Sequence, residues 1–165
     1  MNVKRFFKHL FITQSHSKKY FPQASLDKIK AVITESEKKH DAEIVFAIES
    51  SIQPIAAMQN YSARSRSIDV FSQLRVWDTE ANNGVLVYLL LADHDIEIVA
   101  DRGINKVAGE HFWEEVCKKM EENFRNGNFE TGVIEGINMI TDILAKYYPK
   151  NNKKSNEIPD SPVVM

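Results

Sequence analysis

The sequence predicts an α/β fold: a three-layer α/β/α sandwich over a small mixed β-sheet, with the first two strands parallel and the third antiparallel. Three observations carry this. Glu43–Glu49 and Val85–Ala92 are short runs with apolar side chains at both odd and even positions, the signature of strands covered on both faces. A helical stretch of about thirty residues separates them, long enough for a right-handed parallel crossover. Asp93-His94 then leaves room only for a tight reversal into Asp95–Ala100, so that strand runs antiparallel to the second.

Each element follows from local pattern. Ser25 is a plausible N-cap, with Asp27 in the first turn, for a helix along Leu26, Ile29 and Ile33 to about Lys39. After Pro54 the helical spacing of Tyr61, Ile68, Phe71 and Leu74 marks the crossover, with Arg64 and Arg66 expected on its wet face. Trp77–Gly84 is turn chemistry, and Asn83-Gly84 is expected to supply a positive φ. Ile96 and Ile98 alternate with Asp95 and Glu97, as in a half-covered edge strand. Trp113, Val116, Met120 and Phe124 stripe one closing helix; Val133, Ile137, Ile140, Leu144 and Tyr147 stripe the next. Gly132 and Gly136, four apart, are expected to flatten that last helix against the sheet.

The chain has 165 residues, 43% hydrophobic and 27% charged, which predicts one globular domain. It divides into a basic amphipathic N-terminal extension over 1–19, an α/β domain over 20–148 and an extended tail over 149–165. A formal charge of −2 argues against a general nucleic-acid binder. Cys117, the single cysteine, excludes an internal disulfide and any multi-cysteine metal centre. The longest apolar run, Val85–Ala92, is well short of the ~20 residues a spanning helix needs. Lys8 and His9 interrupt the only segment resembling a signal peptide, so the expected compartment is the cytoplasm of a bacterium.

Residues 1–12 place Phe6, Phe7, Leu10 and Phe11 on one helical face among Lys4, Arg5 and Lys8. Residues 1–30 hold seven lysine and arginine residues against Asp27 alone. The expectation is a docked first helix, with peripheral contact to an anionic membrane or partner as the alternative. Pro159 and Pro162 exclude a helix from residues 156–165, yet Ile158, Val163 and Val164 favour a strap lying on the domain or on a partner.

Topology then groups side chains. The start of strand one, the start of strand two and the end of strand three share one rim, bringing Asp41, Glu43, Asp78, Asn82, Asn83, Asp101 and Arg102 together. Glu49, Asp93 and His94 fall on the opposite rim. Hard oxygen donors suit Ca²⁺ or Mg²⁺, which makes Glu43, Asp78, Asn83 and Asp101 metal candidates and Asp41, Asn82 and Arg102 further rim candidates; turn-formers and solvated strand ends are the simpler account of them. Other constellations read as structure. Asp93–Glu97 lacks the glycine and distal glutamate of a calcium loop. His111 with Glu114 or Glu115 has no second histidine at metalloprotease spacing. Cys117, Trp77 and Trp113 fit packing, and no phosphate-binding glycine loop or nucleophile elbow occurs.

Four stretches together resemble the TPM-domain family: Ser67–Trp77, Asn82–Leu90, Ile96–Ile104 and Phe124-x-x-Gly-x-Phe-x-x-Gly132. The founders of that family are a thylakoid-lumen phosphatase-like protein, a photosystem assembly factor and a nematode receptor-auxiliary protein. The resemblance covers residues 20–148, and Asn156–Pro162 is similar to the tail of a short bacterial cytoplasmic branch. It implies an α/β/α sandwich, an acidic pocket that takes a divalent cation in some members, and the acid-phosphatase activity of a plant member. Family loops match Asn83-Gly84 and Asp101-Arg102-Gly103; no catalytic residue carries over. The secretion signal and membrane anchor of many relatives are not recognisable here. The expected function is therefore a non-enzymatic binding or assembly module with protein partners, no organic cofactor and an acidic rim able to hold a cation. The alternative is a weak metal-dependent acid phosphatase acting on phosphomonoesters.

Overall fold

The computed structural model describes residues 2–151 and 156–165; part of the polar stretch after Pro149 lies outside them. Helices α1 (Val3–Phe11), α2 (Gln14–Tyr20) and α3 (Gln23–Ser36) lead into β1 (Glu43–Glu49). The crossover holds α4 (Pro54–Met58) and α5 (Ala63–Gln73) and returns to β2 (Gly84–Leu90) and β3 (Asp95–Ala100). Then come α6 (Arg102–Ala108), α7 (Glu110–Arg125), α8 (Phe129–Tyr147) and β4 (Val163–Val164).

The sheet runs β3-β2-β1-β4. β1 pairs parallel with β2, from Glu43 opposite Gly84 to Glu49 opposite Leu90, while β2 and β3 are antiparallel. This is the mixed α/β sheet expected, extended by one strand: the tail lays Val163 and Val164 parallel to Ala47 and Ile48. Met165 N–H donates to the Ile48 carbonyl at 2.8 Å. Every residue of β1 and β2 is buried, as apolar runs without alternation require. Ile44, Phe46, Val87, Leu89 and Ile98 pack under α3, α7 and α8; Val45, Leu86, Tyr88 and Val99 pack under α5 and the tail's Ile158 and Val163.

Several elements depart from the sequence expectation for identifiable reasons. The basic extension is two helices rather than one, separated at Ile12-Thr13, where Thr13 caps α2 in a capping box with His16. α3 begins at Gln23 with Pro22 as its N-cap, so Ser25 lies inside the helix and donates to Glu130. The crossover helix is broken at Asn60, whose φ of 63° a continuous helix cannot hold. Restarting at Ala63 rotates the buried stripe to Ala63, Ser67 and Val70 and leaves Ile68 exposed.

Positive φ in the turn before β2 belongs to Asn82, at 49°, and not to Gly84. Gly84 is needed for space instead: a Cβ there would stand 2.0 Å from the Val76 carbonyl oxygen. Gly136 likewise makes room for α7 rather than the sheet, since its Cβ would meet Met120 Sδ at 2.4 Å. α6 was not expected from the loop chemistry of Asp101-Arg102-Gly103.

Candidate functional site

The rim at the start of β1 and β2 brings Asn83, Gly84, Asp101 and Glu43 into one hydrogen-bonded corner. Glu43 N–H donates to the Asn83 carbonyl, and Asp101 N–H to the Gly84 carbonyl. The side chains, however, serve the backbone. The Asn83 amide, fully buried, donates to the Asp41 carbonyl at 2.7 Å, and Asp101 Oδ2 accepts from Gly84 N–H at 3.0 Å. Both Asp41 carboxylate oxygens lie 3.0 Å from Asn151 N–H, with Lys150 Nζ 3.6 Å away. Glu43, 4% exposed, accepts from the tail amides of Glu157 at 3.3 Å and Ile158 at 3.2 Å.

Asp78 instead pairs with Arg75 on the exposed turn, Asn82 shapes that turn, and Arg102 opens α6. Among the described residues no three His, Cys, Asp or Glu side chains converge as a metal would require. Among the described residues the carboxylate oxygens of Asp41, Glu43 and Asp101 accept from backbone amides.

Behind this corner stands Glu37, which the sequence did not single out. It is 8% exposed and accepts from Ile44 N–H at 2.9 Å. Burial raises its carboxyl to about 8, with Glu43 and Asp160 adding to the rise and the Ile44 bond opposing it. His40 is fully buried, with Nδ1–H donating to the Ala42 carbonyl and Nε2 beside Ser36 Oγ; burial lowers its pKa to about 4.

The opposite rim is built on charge. Arg66, expected in solvent, is turned inward and grips Glu49 at both carboxylate oxygens, 2.8 and 2.9 Å; Tyr88 O–H donates to the same carboxylate at 2.6 Å. Nearby, Arg5 Nε and Nη2 hold Asp93 Oδ2 at 2.9 and 2.7 Å, and His9 Nε2 lies 3.2 Å from Oδ1. Burial alone would raise the Asp93 carboxyl, but Arg5 and His9 more than offset it and hold it below the usual carboxylate range.

A third region is concave. Along the outer edge of β3, α5, α6 and α7 enclose an open groove of about 820 Å³. Arg64, Arg102, Lys106 and Lys118 line it together with Asp95, Glu97, Glu114 and Glu121, around Trp113 and Cys117. The strand edge itself is guarded: Arg64 Nη1 donates to the Ile98 carbonyl at 2.8 Å and the Asn105 amide to the Ala100 carbonyl at 2.9 Å. Trp113 Nε1–H fixes the other end of the Asn105 side chain at 2.8 Å. Burial, then like charge, raises the carboxyls of Asp95 and Glu97, and burial with those acids and Glu121 pushes the Cys117 thiol up to about 12. Sequence reasoning read these residues as a hairpin and as helix packing. The available signal was the acid alternation Asp95, Glu97 on a strand whose even positions are the apolar ones.

Residues 15–143 match the family model of the TPM domain. Among solved structures, the NMR structure of the BA42 protein from the psychrophilic bacterium Bizionia argentinensis is similar over nearly the whole length. It has 29% identity and a TM-score of 0.72, covering 94% of this chain and 96% of that one. The N-terminal domain of a P. gingivalis protein shares the fold at 16% identity and a TM-score of 0.62, covering 78% of this chain and 80% of that domain. None of the curated proteins compared matches the chain. Among the described residues no helix is long and apolar enough to cross a membrane.

Proposed function

The chain belongs to the TPM-domain family, and from that premise we propose that it is a binding and assembly module that takes a polypeptide partner in the groove beside β3, not a phosphomonoester hydrolase. The observation that carries this reading is the lining of that groove. Acids of β3 and α7 face bases of α5 and α6, with Lys118 among them, around one indole, a surface suited to a partner of complementary charge pattern rather than to a single phosphate. Phosphoryl transfer wants convergent positive charge and an activated nucleophile or water.

The titratable groups support the same reading. Of the five histidines, His9 and His40 are buried with both ring nitrogens engaged, and His16 accepts from Thr13 N–H. His94 lies against the rings of Tyr20 and Phe129, and His111 stands exposed beside Glu114 and Glu115. Among the described residues only His40 meets a hydroxyl, Ser36 Oγ at 2.8 Å, and that pair is buried, with Ser36 also bonded to Thr141. The thiol in the groove, Cys117, is held protonated at neutral pH. The first rim, in this reading, clasps the chain's own tail.

Two measurements test the proposal together. A photo-crosslinking residue at Lys106, in the groove, is expected to join one defined protein in native cells, whereas the same residue at exposed Lys30 on α3 is not. Phosphomonoester turnover with Ca²⁺, Mg²⁺ or Mn²⁺ is expected to equal that of a heat-denatured control. Turnover that Asp101→Ala abolishes with the fold intact, or equal capture at both positions, would overturn the reading.

A further inference from the structure

The first helix is built with its polar side inward. Arg5 and His9, four residues apart on α1, face the protein and both hold Asp93. Arg5 Nη1 also donates to the carbonyls of Ala57 and Tyr61, at 3.2 and 2.7 Å. The Ile52 N–H donates to His9 Nδ1 at 3.2 Å, so a neutral imidazole protonated on Nε2 satisfies every contact of the ring. At the helix start, Asn2 N–H donates to the Met58 carbonyl. α1 is thus docked through charge and hydrogen bonds.

Its other face is apolar and uncovered. Val3, Phe7, Leu10 and Phe11, at helical spacing, are 49%, 50%, 48% and 68% exposed, and Phe7 stacks on Phe11 with ring centroids 6.3 Å apart. Ile55, on the α4 helix against which α1 packs, is 60% exposed. An ordinary surface helix turns its apolar stripe to the core. Here that stripe faces away from the protein.

Charge selects the occupant. Lys4 and Lys8 run along one flank of the stripe, and Lys18 and Lys19 are exposed on α2. A second copy docked on this face about a two-fold axis would set these lysines near their own images, whereas an anionic surface would attract them all. We propose that α1 is a preformed peripheral membrane anchor. It lays Val3, Phe7, Leu10 and Phe11 into the headgroup–acyl boundary of an anionic bilayer, with the flanking lysines on lipid phosphates. Because α1 is already helical and fixed to Asp93, docking does not have to order it first.

The test uses the full chain, sedimented with phosphatidylcholine vesicles and with vesicles that also contain phosphatidylglycerol. The chain is expected to pellet with the anionic vesicles and to be released by salt. Phe7→Ser/Phe11→Ser and Lys4→Glu/Lys8→Glu are each expected to weaken this by roughly tenfold or more. Because Lys8 Nζ also lies 4.0 Å from Asp93, docking is read elsewhere: retained protection of the Ile52 and Asn2 amides, which bond His9 and the Met58 carbonyl, establishes that α1 remains docked in both. Three results would overturn the proposal: full-length protein left in the supernatant with both vesicle types, vesicle binding that neither variant lowers, or a dimer in sedimentation velocity that Phe7→Ser/Phe11→Ser dissociates.

Discussion

The two ends of the central sheet handle their buried and half-buried acids in opposite ways. At the start of β1 and β2, Asp41, Glu43 and Asp101 are satisfied largely by backbone amides, three of them from Asn151, Glu157 and Ile158 beyond α8. At the far end, Glu49 and Asp93 are gripped by arginines arriving from α5 and α1. The first arrangement fastens the chain to itself mainly through backbone amides, with Lys150 3.6 Å from Asp41; the second pins two helices with arginine–carboxylate pairs. The difference shows that an acidic rim is not in itself a binding site. What matters is whether its oxygens are aimed at a ligand or at the protein.

The charged end should be the more costly to break. Arg66→Ala leaves Glu49 nearly buried with only Tyr88 beside it, and a loss of about 3–5 kcal/mol in urea unfolding is expected. Replacing the pair together, as Glu49→Gln/Arg66→Met, should recover much of that. If the single substitution costs no more than an exposed ion pair, the contrast between the two ends fails.

Behind the backbone-bonded end, one substitution should stabilise. Burial raises Glu37 from 4.5 to about 8, so its ionisation opposes folding: the penalty is absent below pH ~4.5, grows with pH and is complete above ~8. Glu37→Gln keeps an acceptor for Ile44 N–H without the charge, and a gain of about 1–3 kcal/mol is expected at pH 8, shrinking toward pH 4.5. His40 works in the other direction. Its pKa is lowered from 6.5 to about 4, so it adds stability that is full above pH ~6.5 and is lost as pH falls toward 4. A pH series of unfolding curves for wild type and Glu37→Gln separates the two windows.

The smallest effect belongs to the tail clasp. Glu43→Gln sets an amide donor against the Glu157 and Ile158 N–H groups, and about 1 kcal/mol of local stability is expected to go. It should appear as faster amide exchange at those two residues and at Met165, which bonds Ile48, while the centre of β2 stays protected.

Much of this framework was legible in the residues. Unbroken apolar runs at 44–48 and 85–92 and the short Asp93-His94 connection leave one pairing scheme, and the stripes of α7 and α8 bury as periodicity demands. The gathering of Asp41, Glu43, Asn83 and Asp101 at one end follows from that topology alone. What topology cannot supply is where a carboxylate points. Nothing in the spacing of Glu43 shows that Ile158, more than a hundred residues on, will take its oxygens. Arg66 was misplaced because Asn60 resets the helix and turns a seemingly wet position inward. The inverted face of α1 is half visible: the aromatic spacing is plain, but Asp93 and the backbone of Ile52, Ala57 and Tyr61, all distant in sequence, decide that Arg5 and His9 are the side facing in.

The most direct test of the central claim, that the first rim holds the chain's own backbone, is a Ca²⁺ and Mg²⁺ titration of the full protein followed at the amides of Gly84, Glu157 and Ile158. Those three signals are predicted to stay in place through the titration. Saturable shifts centred on them, lost in Asp101→Asn, would contradict the account.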